Sequence, residues 1–265
     1  MPSKQQPTAR DPRSPIKDKP LRLPGQSLEE ERAAIWDDKL EPYAIQALFF
    51  IVTAMIEWWR YWTNMPPLPV LFSLVALVAL AFTVWRTWSY WPRLKALRLG
   101  IEGEKVVGQY LERLREDGYH VFHDVKGPNF NVDHVLIGPA GLFTIETKTR
   151  TKPARGDAHV TADEEGLLVA GQRPDRDPLV QARAQASWIH QQIKESTGKA
   201  MPVKPVIVFP GWFIEPSAQQ LPNIWVLEPK ALPAFLKNEN ARMGPEDVRL
   251  AAFHLSRMIR SGERS

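Results

Sequence analysis

The sequence predicts an α/β domain preceded by two transmembrane helices, and three observations lead there. The stretch from Leu68 to Trp85 carries no charge and is long enough to cross a hydrocarbon core of roughly 30 Å. A second apolar stretch, Tyr43 to Trp62, lies just ahead of it. Beyond residue 97, strand-like and helix-like segments alternate, the pattern of a central sheet flanked by helices.

Composition narrows the chemistry. The chain has 265 residues, a formal net charge of +4 and no cysteine. Disulfides and thiolate metal sites are therefore excluded, so any metal must be held by oxygen ligands or histidine. Oxygen ligands suit magnesium, manganese or calcium. The mild positive charge tolerates an anionic partner, a polyanion or an acidic lipid surface, without demanding one.

Residues 1 to 42 are expected to hold a basic tail and a short helix. Up to about residue 26, six prolines alternate with lysine and arginine. Such a segment buries too little apolar surface to offset ordering its backbone, and no apolar core follows at the distance of a secretory signal. Residues 27 to 42 read as a helix capped by Ser27, with acids in its first turn.

The membrane part is assigned to 43–92, with helices at 43–62 and 68–85. The first is uncharged through Ile56 and then reads EWWRYW. Glu57 and Arg60 are spaced to pair on one face, and Trp58, Trp59, Tyr61 and Trp62 resemble an aromatic belt at a membrane interface. An interfacial or re-entrant helix is the alternative for this stretch. The connection TNMPP leaves room only for a helical hairpin. After the second span come Arg86, Arg93, Lys95 and Arg98 with no acid among them, which places that flank in the cytoplasm. The expectation is a multi-pass inner-membrane protein with both termini and the soluble domain cytoplasmic.

In the soluble part, residues 97–117 repeat Ile101, Val106, Tyr110, Leu111 and Leu114 at helical spacing, and Gly118 ends the helix. Tyr119 to Val125 is a strand. From Asn131 to Arg150 two strands flank the turn Gly138-Pro139-Ala140-Gly141. Glu146 and Lys148 share a face because strand side chains alternate, and the hairpin can bring that face beside Asp133. Two carboxylates converging next to an ammonium can hold a divalent metal and steady a phosphate, the requirements of phosphodiester hydrolysis. A smaller hairpin (158–171), a helix from Pro178 to about Thr197 carrying Gln181, strands at Val203 to Phe209 and Ile224 to Leu227, and two closing helices complete the expected order.

The runs GIEGEKVVGQYLERL, GYHVFHDV and NVDHVLIGPAGLFTIETKT resemble the nuclease-related domain (NERD) family of the PD-(D/E)xK, restriction-endonuclease-like superfamily. The resemblance covers residues 97–215, with 216–265 expected as a carboxyl-terminal strand and helices packed on the domain. It implies an αβββαβ core and hydrolysis of nucleic acid, DNA ahead of RNA, with Mg²⁺ or Mn²⁺. The implied catalytic set is Glu104, Asp133, Glu146, Lys148 and Gln181. Asp133 and Glu146 would ligate the metal, and Glu104 would complete its shell or act as base through a water. Lys148 would orient the attacking water or stabilise the scissile phosphate, and Gln181 would brace the site. Val132 stands where the bare nuclease signature has proline. The competing reading is a catalytically silent, membrane-tethered module that binds nucleic acid or acts as a scaffold. His123 and His134 are read as structural, with His134 facing away from Asp133. Trp188, Trp212 and Trp225 are read as core, and no Gly-rich phosphate loop is present.

Overall fold

A computed structural model describes residues 21–152 and 158–262. The greater part of the expected basic tail, residues 1–20, lies outside them. The tail's end differs from expectation. Arg22 is buried against the buried carboxylate of Asp124 at 2.6 Å, and Pro24 packs on Gly108. Helix α1 (Gln26–Ile35) then begins from Gly25 rather than from a Ser27 cap. Ser27 spends its amide and hydroxyl on Asp124 instead, at 2.9 and 2.8 Å.

A short π-helix, Trp36–Leu40, joins α1 to α2 (Glu41–Trp62), and α3 (Pro69–Arg113) returns antiparallel to it. The expected Glu57–Arg60 pair forms at 2.6 Å and closes the hairpin. The second Glu57 oxygen accepts the Leu68 amide at 2.9 Å, and Arg60 reaches the Pro66 carbonyl at 3.0 Å. The Leu68 amide, stranded at the cap of α3, thereby gains a partner. Farther along, Tyr43 packs edge-on against Phe82, and the Thr83 hydroxyl bonds the Tyr43 carbonyl at 3.1 Å. The helical stretches Gln26–Trp62 and Pro69–Arg113 are both long and apolar enough to cross a membrane.

The sequence suggested a boundary between the second span and the soluble domain near residues 92–97. The structure instead runs one helix of 45 residues through it, with Pro92 inside. Proline removes one backbone bond, but Leu94, Lys95, Ala96, Leu97 and Arg98 are good helix formers that carry the helix on. At about 1.5 Å per residue, α3 is about 67 Å long.

The carboxyl-terminal part of α3 opens the α/β domain. Strands β1 (His120–Lys126), β2 (Asn131–Gly138) and β3 (Gly141–Thr147) form an antiparallel meander. The β2–β3 turn closes at Gly141, whose φ of 130° excludes most side chains. A smaller hairpin follows, β4 (His159–Asp163) and β5 (Gly166–Val169), and then α4 (Pro178–Thr197) crosses over to β6 (Val203–Val208). Strand β6 lies parallel to β3, and β8 (Trp225–Leu227) lies parallel to β6, giving the sheet order β1-β2-β3-β6-β8. The sequence left out β7 (Phe213–Ile214) and α5 (Pro216–Gln219). Strand β7 pairs with β4 in a separate sheet. Helices α6 (Leu232–Asn238) and α7 (Pro245–Gly262) close the chain.

Burial splits the core by strand parity. Val107 and Leu111 of α3 pack with Leu136, Phe143 and Ile145 on one face. Ile189 and Ile193 of α4, with Ala251 and Leu255 of α7, cover Val135, Ile137 and Leu142 on the other. The αβββαβ order implied by the family resemblance is that of α3, β1, β2, β3, α4 and β6, with the β4–β5 hairpin of the separate sheet inserted before α4.

Candidate active site

The β2–β3 register, His134 opposite Ile145, runs on to place Asp133 opposite Glu146, where the ladder opens. There an Asp133 oxygen accepts the Thr147 amide at 2.7 Å in place of a main-chain carbonyl. Its other oxygen has no protein partner among the described residues. On the next strand Glu146 is buried and receives three N–H donors. Lys148 Nζ and Gln181 Nε2 reach Oε1 at 2.6 and 2.7 Å, and Gln185 Nε2 reaches Oε2 at 2.6 Å. Lys148 Nζ also donates to Gln181 Oε1 at 2.8 Å.

The hairpin and α4 thus bring Asp133, Glu146, Lys148 and Gln181 together at one end of the sheet. Glu104 arrives from α3 and lines the same cleft, about 560 Å³ in volume, with Asp124 and Ser27 on its wall. Close approach of α3 depends on Gly103, where an added Cβ would stand 2.1 Å from the Thr149 hydroxyl.

Sequence reasoning missed Gln185, although it follows Gln181 by four residues in DPLVQARAQ and so shares its helix face. It also missed Asp124, a strand residue with a positive φ of 49°, which anchors Arg22 and Ser27 at the mouth of the cleft.

Negative charge is in excess here. Burial, and then Glu146 and Glu104, push Asp133 well above the ordinary carboxylate range against the pull of the Thr147 amide and Lys148. Glu104 is pushed up to about 7 by burial, with Asp124 and Glu146 adding to it and the Gly25 amide opposing. Burial raises the cost of each charge, and each carboxylate raises it for the next. An unfolded Glu104 releases its proton near pH 4.5, so between there and about 7 the folded chain holds more protons and loses stability as pH rises. Thermal melts in chelator across this range should show that decline. Glu104→Gln should flatten it, and an unchanged slope would remove Glu104 as its source.

The donor set fits a hard divalent cation. Asp133 has an oxygen to spare, and the charge that raises these carboxylates is what a cation relieves. Among the described residues no three His, Asp or Glu groups lie together as a ready-made cage. An ion here would rest on Asp133 and Glu146, with Glu104 lining the same cleft, and keep waters or phosphate oxygens in its other places, as magnesium commonly does.

His134 does not share the face of Asp133. It is fully buried under α3, its Nδ1 lies 2.8 Å from that of His123, and His123 Nε2 lies 2.9 Å from Glu112. Burial lowers both histidines, which keeps them neutral. If His123 donates to Glu112, then His134 donates to His123 and is left to accept from the Thr147 hydroxyl, 3.4 Å away. The chain steadies Thr147, whose amide holds Asp133. Trp212 is core, and Trp225 stacks on Phe143 at 5.4 Å.

Residues 99–210 match the family model of the nuclease-related domain, NERD. No curated protein and no solved structure matches the chain.

Proposed function

We propose that this chain, whose residues 99–210 carry the nuclease-related domain, is a membrane-anchored, divalent-metal-dependent nuclease acting on cytoplasmic DNA. The observation that carries the reading is the cluster of Glu146, Lys148 and Gln181, held together by bonds of 2.6 to 2.8 Å, in a cleft that Asp133 and Glu104 also line. A divalent ion bound there would offset charge at the scissile phosphate and make its bound water a better nucleophile.

The remaining roles belong to the side chains. Lys148, fixed between Glu146 and Gln181, presents an ammonium to a phosphate oxygen. Gln181 and Gln185 orient Glu146 from α4. Glu104, titrating near neutrality, is suited to take up or return a proton. An excess of carboxylates repels a bare phosphodiester, so a cation is needed for substrate to approach at all.

Anchoring is supported by the exposure of the apolar helices. In the most apolar windows of the two stretches, only 22% and 6% of the residues are buried. A core helix of a water-soluble protein would hide such a surface. The hairpin keeps both ends on one side, and Arg86, Arg93, Lys95 and Arg98 favour the cytoplasm. Reporter fusions at the carboxyl terminus should read cytoplasmic, and an external signal would overturn this orientation.

The catalytically silent reading draws on one observation: both Glu146 oxygens already accept N–H bonds from inside the protein. The full chain in detergent, incubated with DNA and with RNA in Mg²⁺ or Mn²⁺, separates the two readings. Cleavage that chelator abolishes is expected. Nucleic-acid binding without metal binding by calorimetry, and without cleavage, would establish the silent module instead.

A further inference from the structure

Helix α3 presents the catalytic cleft on one side, through Leu97, Gly100 and Glu104. Its opposite side carries a different stripe. Val84, Trp88, Trp91, Lys95 and Arg98 follow one another at spacings of four and three, which align on a single helix face. Along that stripe the surface changes from apolar through tryptophan to cationic.

Two recesses follow the change. The first, about 450 Å³, is lined by Thr83, Val84, Thr87, Trp88 and Trp91. The second, about 470 Å³, lies between α1 and α3 and is lined by Arg32, Trp36, Asp37, Trp91, Lys95 and Arg98. Trp91 belongs to both, so the apolar recess leads into the cationic one. Trp36, Trp88 and Trp91 are 56%, 75% and 62% exposed, far more than core tryptophans tolerate.

Charge in the second recess is one-sided. Arg32 and Lys95 form no ion pair among the described residues. Arg98 meets Glu102 at 3.0 Å, but both side chains are exposed and such a pair holds weakly. Asp37 is the one carboxylate in the lining.

We propose that the paired recesses bind one anionic phospholipid, its phosphate among Arg32, Lys95 and Arg98 and its acyl chains along Val84, Trp88 and Trp91. The proposal rests on reading α2 and α3 as membrane-spanning. A free phosphate would leave the apolar recess in water, and a zwitterionic lipid would bring its own ammonium against the three cations. Exposed tryptophans beside basic side chains at the end of an apolar stretch match the headgroup level of a bilayer.

The test counts bound lipid on the intact chain. Full-length protein in a non-ionic detergent is mixed with equal amounts of phosphatidylglycerol and phosphatidylcholine and examined by native mass spectrometry. The anionic lipid should be retained on the order of a hundredfold more often, given roughly a tenfold effect for each 1.4 kcal/mol and about 1 kcal/mol for each of the three basic residues near a lipid surface. The variant R32A/K95A/R98A should bring the ratio close to parity, and the single change Lys95→Glu should lower it part of the way. Equal retention of both lipids by the wild type, or an unchanged ratio in the triple variant, refutes the site. Displacement of the lipid by millimolar inorganic phosphate would make it a phosphate site and refutes the proposal equally. Flotation of the chain with phosphatidylcholine vesicles after an alkaline wash reads the anchor separately. A chain that floats but shows no preference loses only the lipid site, whereas one that does not float loses the membrane-spanning reading and this proposal together.

Discussion

Replacing Lys148 by alanine should reduce metal-dependent cleavage by about a hundredfold or more, the loss typical when one preorganised donor to developing charge is removed. The expectation comes from the setting of the ammonium. Lys148 is the cation bonded to Glu146, and Gln181 fixes its position from the other side. Without it the carboxylates of Asp133, Glu146 and Glu104 face one another with less compensation, so Asp133 should be still harder to ionise. Single-turnover cleavage by wild type and Lys148→Ala, beside nucleic-acid binding and a thermal melt of each, measures the effect. A fall in the chemical step with binding and melting largely preserved is expected. Equal cleavage by the two proteins would mean that the chemistry takes place elsewhere on the chain.

Gly103→Ala should damage stability and activity together. A Cβ at that position would stand 2.1 Å from the Thr149 hydroxyl, 2.8 Å from its methyl carbon and 3.0 Å from its Cβ. Rotating Thr149 does not clear its Cβ, so α3 must move away from the segment after β3. Overpacking of this kind costs about 1–3 kcal/mol. Because Glu104 is the next residue, the same movement withdraws its carboxylate from the cleft. Pairing the change with Thr149→Gly should restore both properties, a coupling that a double-mutant cycle detects. If Gly103→Ala melts and cleaves like the wild type, α3 is free to shift, and the close packing there does not position Glu104.

The legible part of the site was the part written in local pattern. Alternation over two short strands and a Gly-Pro-Ala-Gly turn sufficed to put Asp133, Glu146 and Lys148 at one end of a hairpin, because register follows from the turn and the buried face. Helix spacing would have delivered Gln185 beside Gln181 had the polar face of α4 been read as closely as its apolar one. Asp124, Arg22 and the Gly25 amide were out of reach for a different reason. Arg22 meets Asp124 across 102 positions of sequence, and neither belongs to a periodic run that marks it. The proline-rich composition around Arg22 argued for disorder, and a single buried ion pair with its Ser27 neighbour overrode that locally. Pro92 likewise pointed to a break that the helix formers after it bridged.

The continuity of α3 has one more consequence. Trp85, at the end of the apolar stretch, and Glu104, at the cleft, lie on the same helix, about 28 Å apart along its axis at 1.5 Å per residue. A flexible tether would let a catalytic domain sample every bearing around its anchor, whereas a shared helix gives the cleft a compass direction. Each residue added between Pro92 and Glu104 would swing the cleft by about 100°, and an addition of seven would return it to within about 20° of its original heading. Length and phase are therefore separate variables in this protein: under the proposed anchoring, one would set how far from the bilayer the cleft stands, and the other the side it faces.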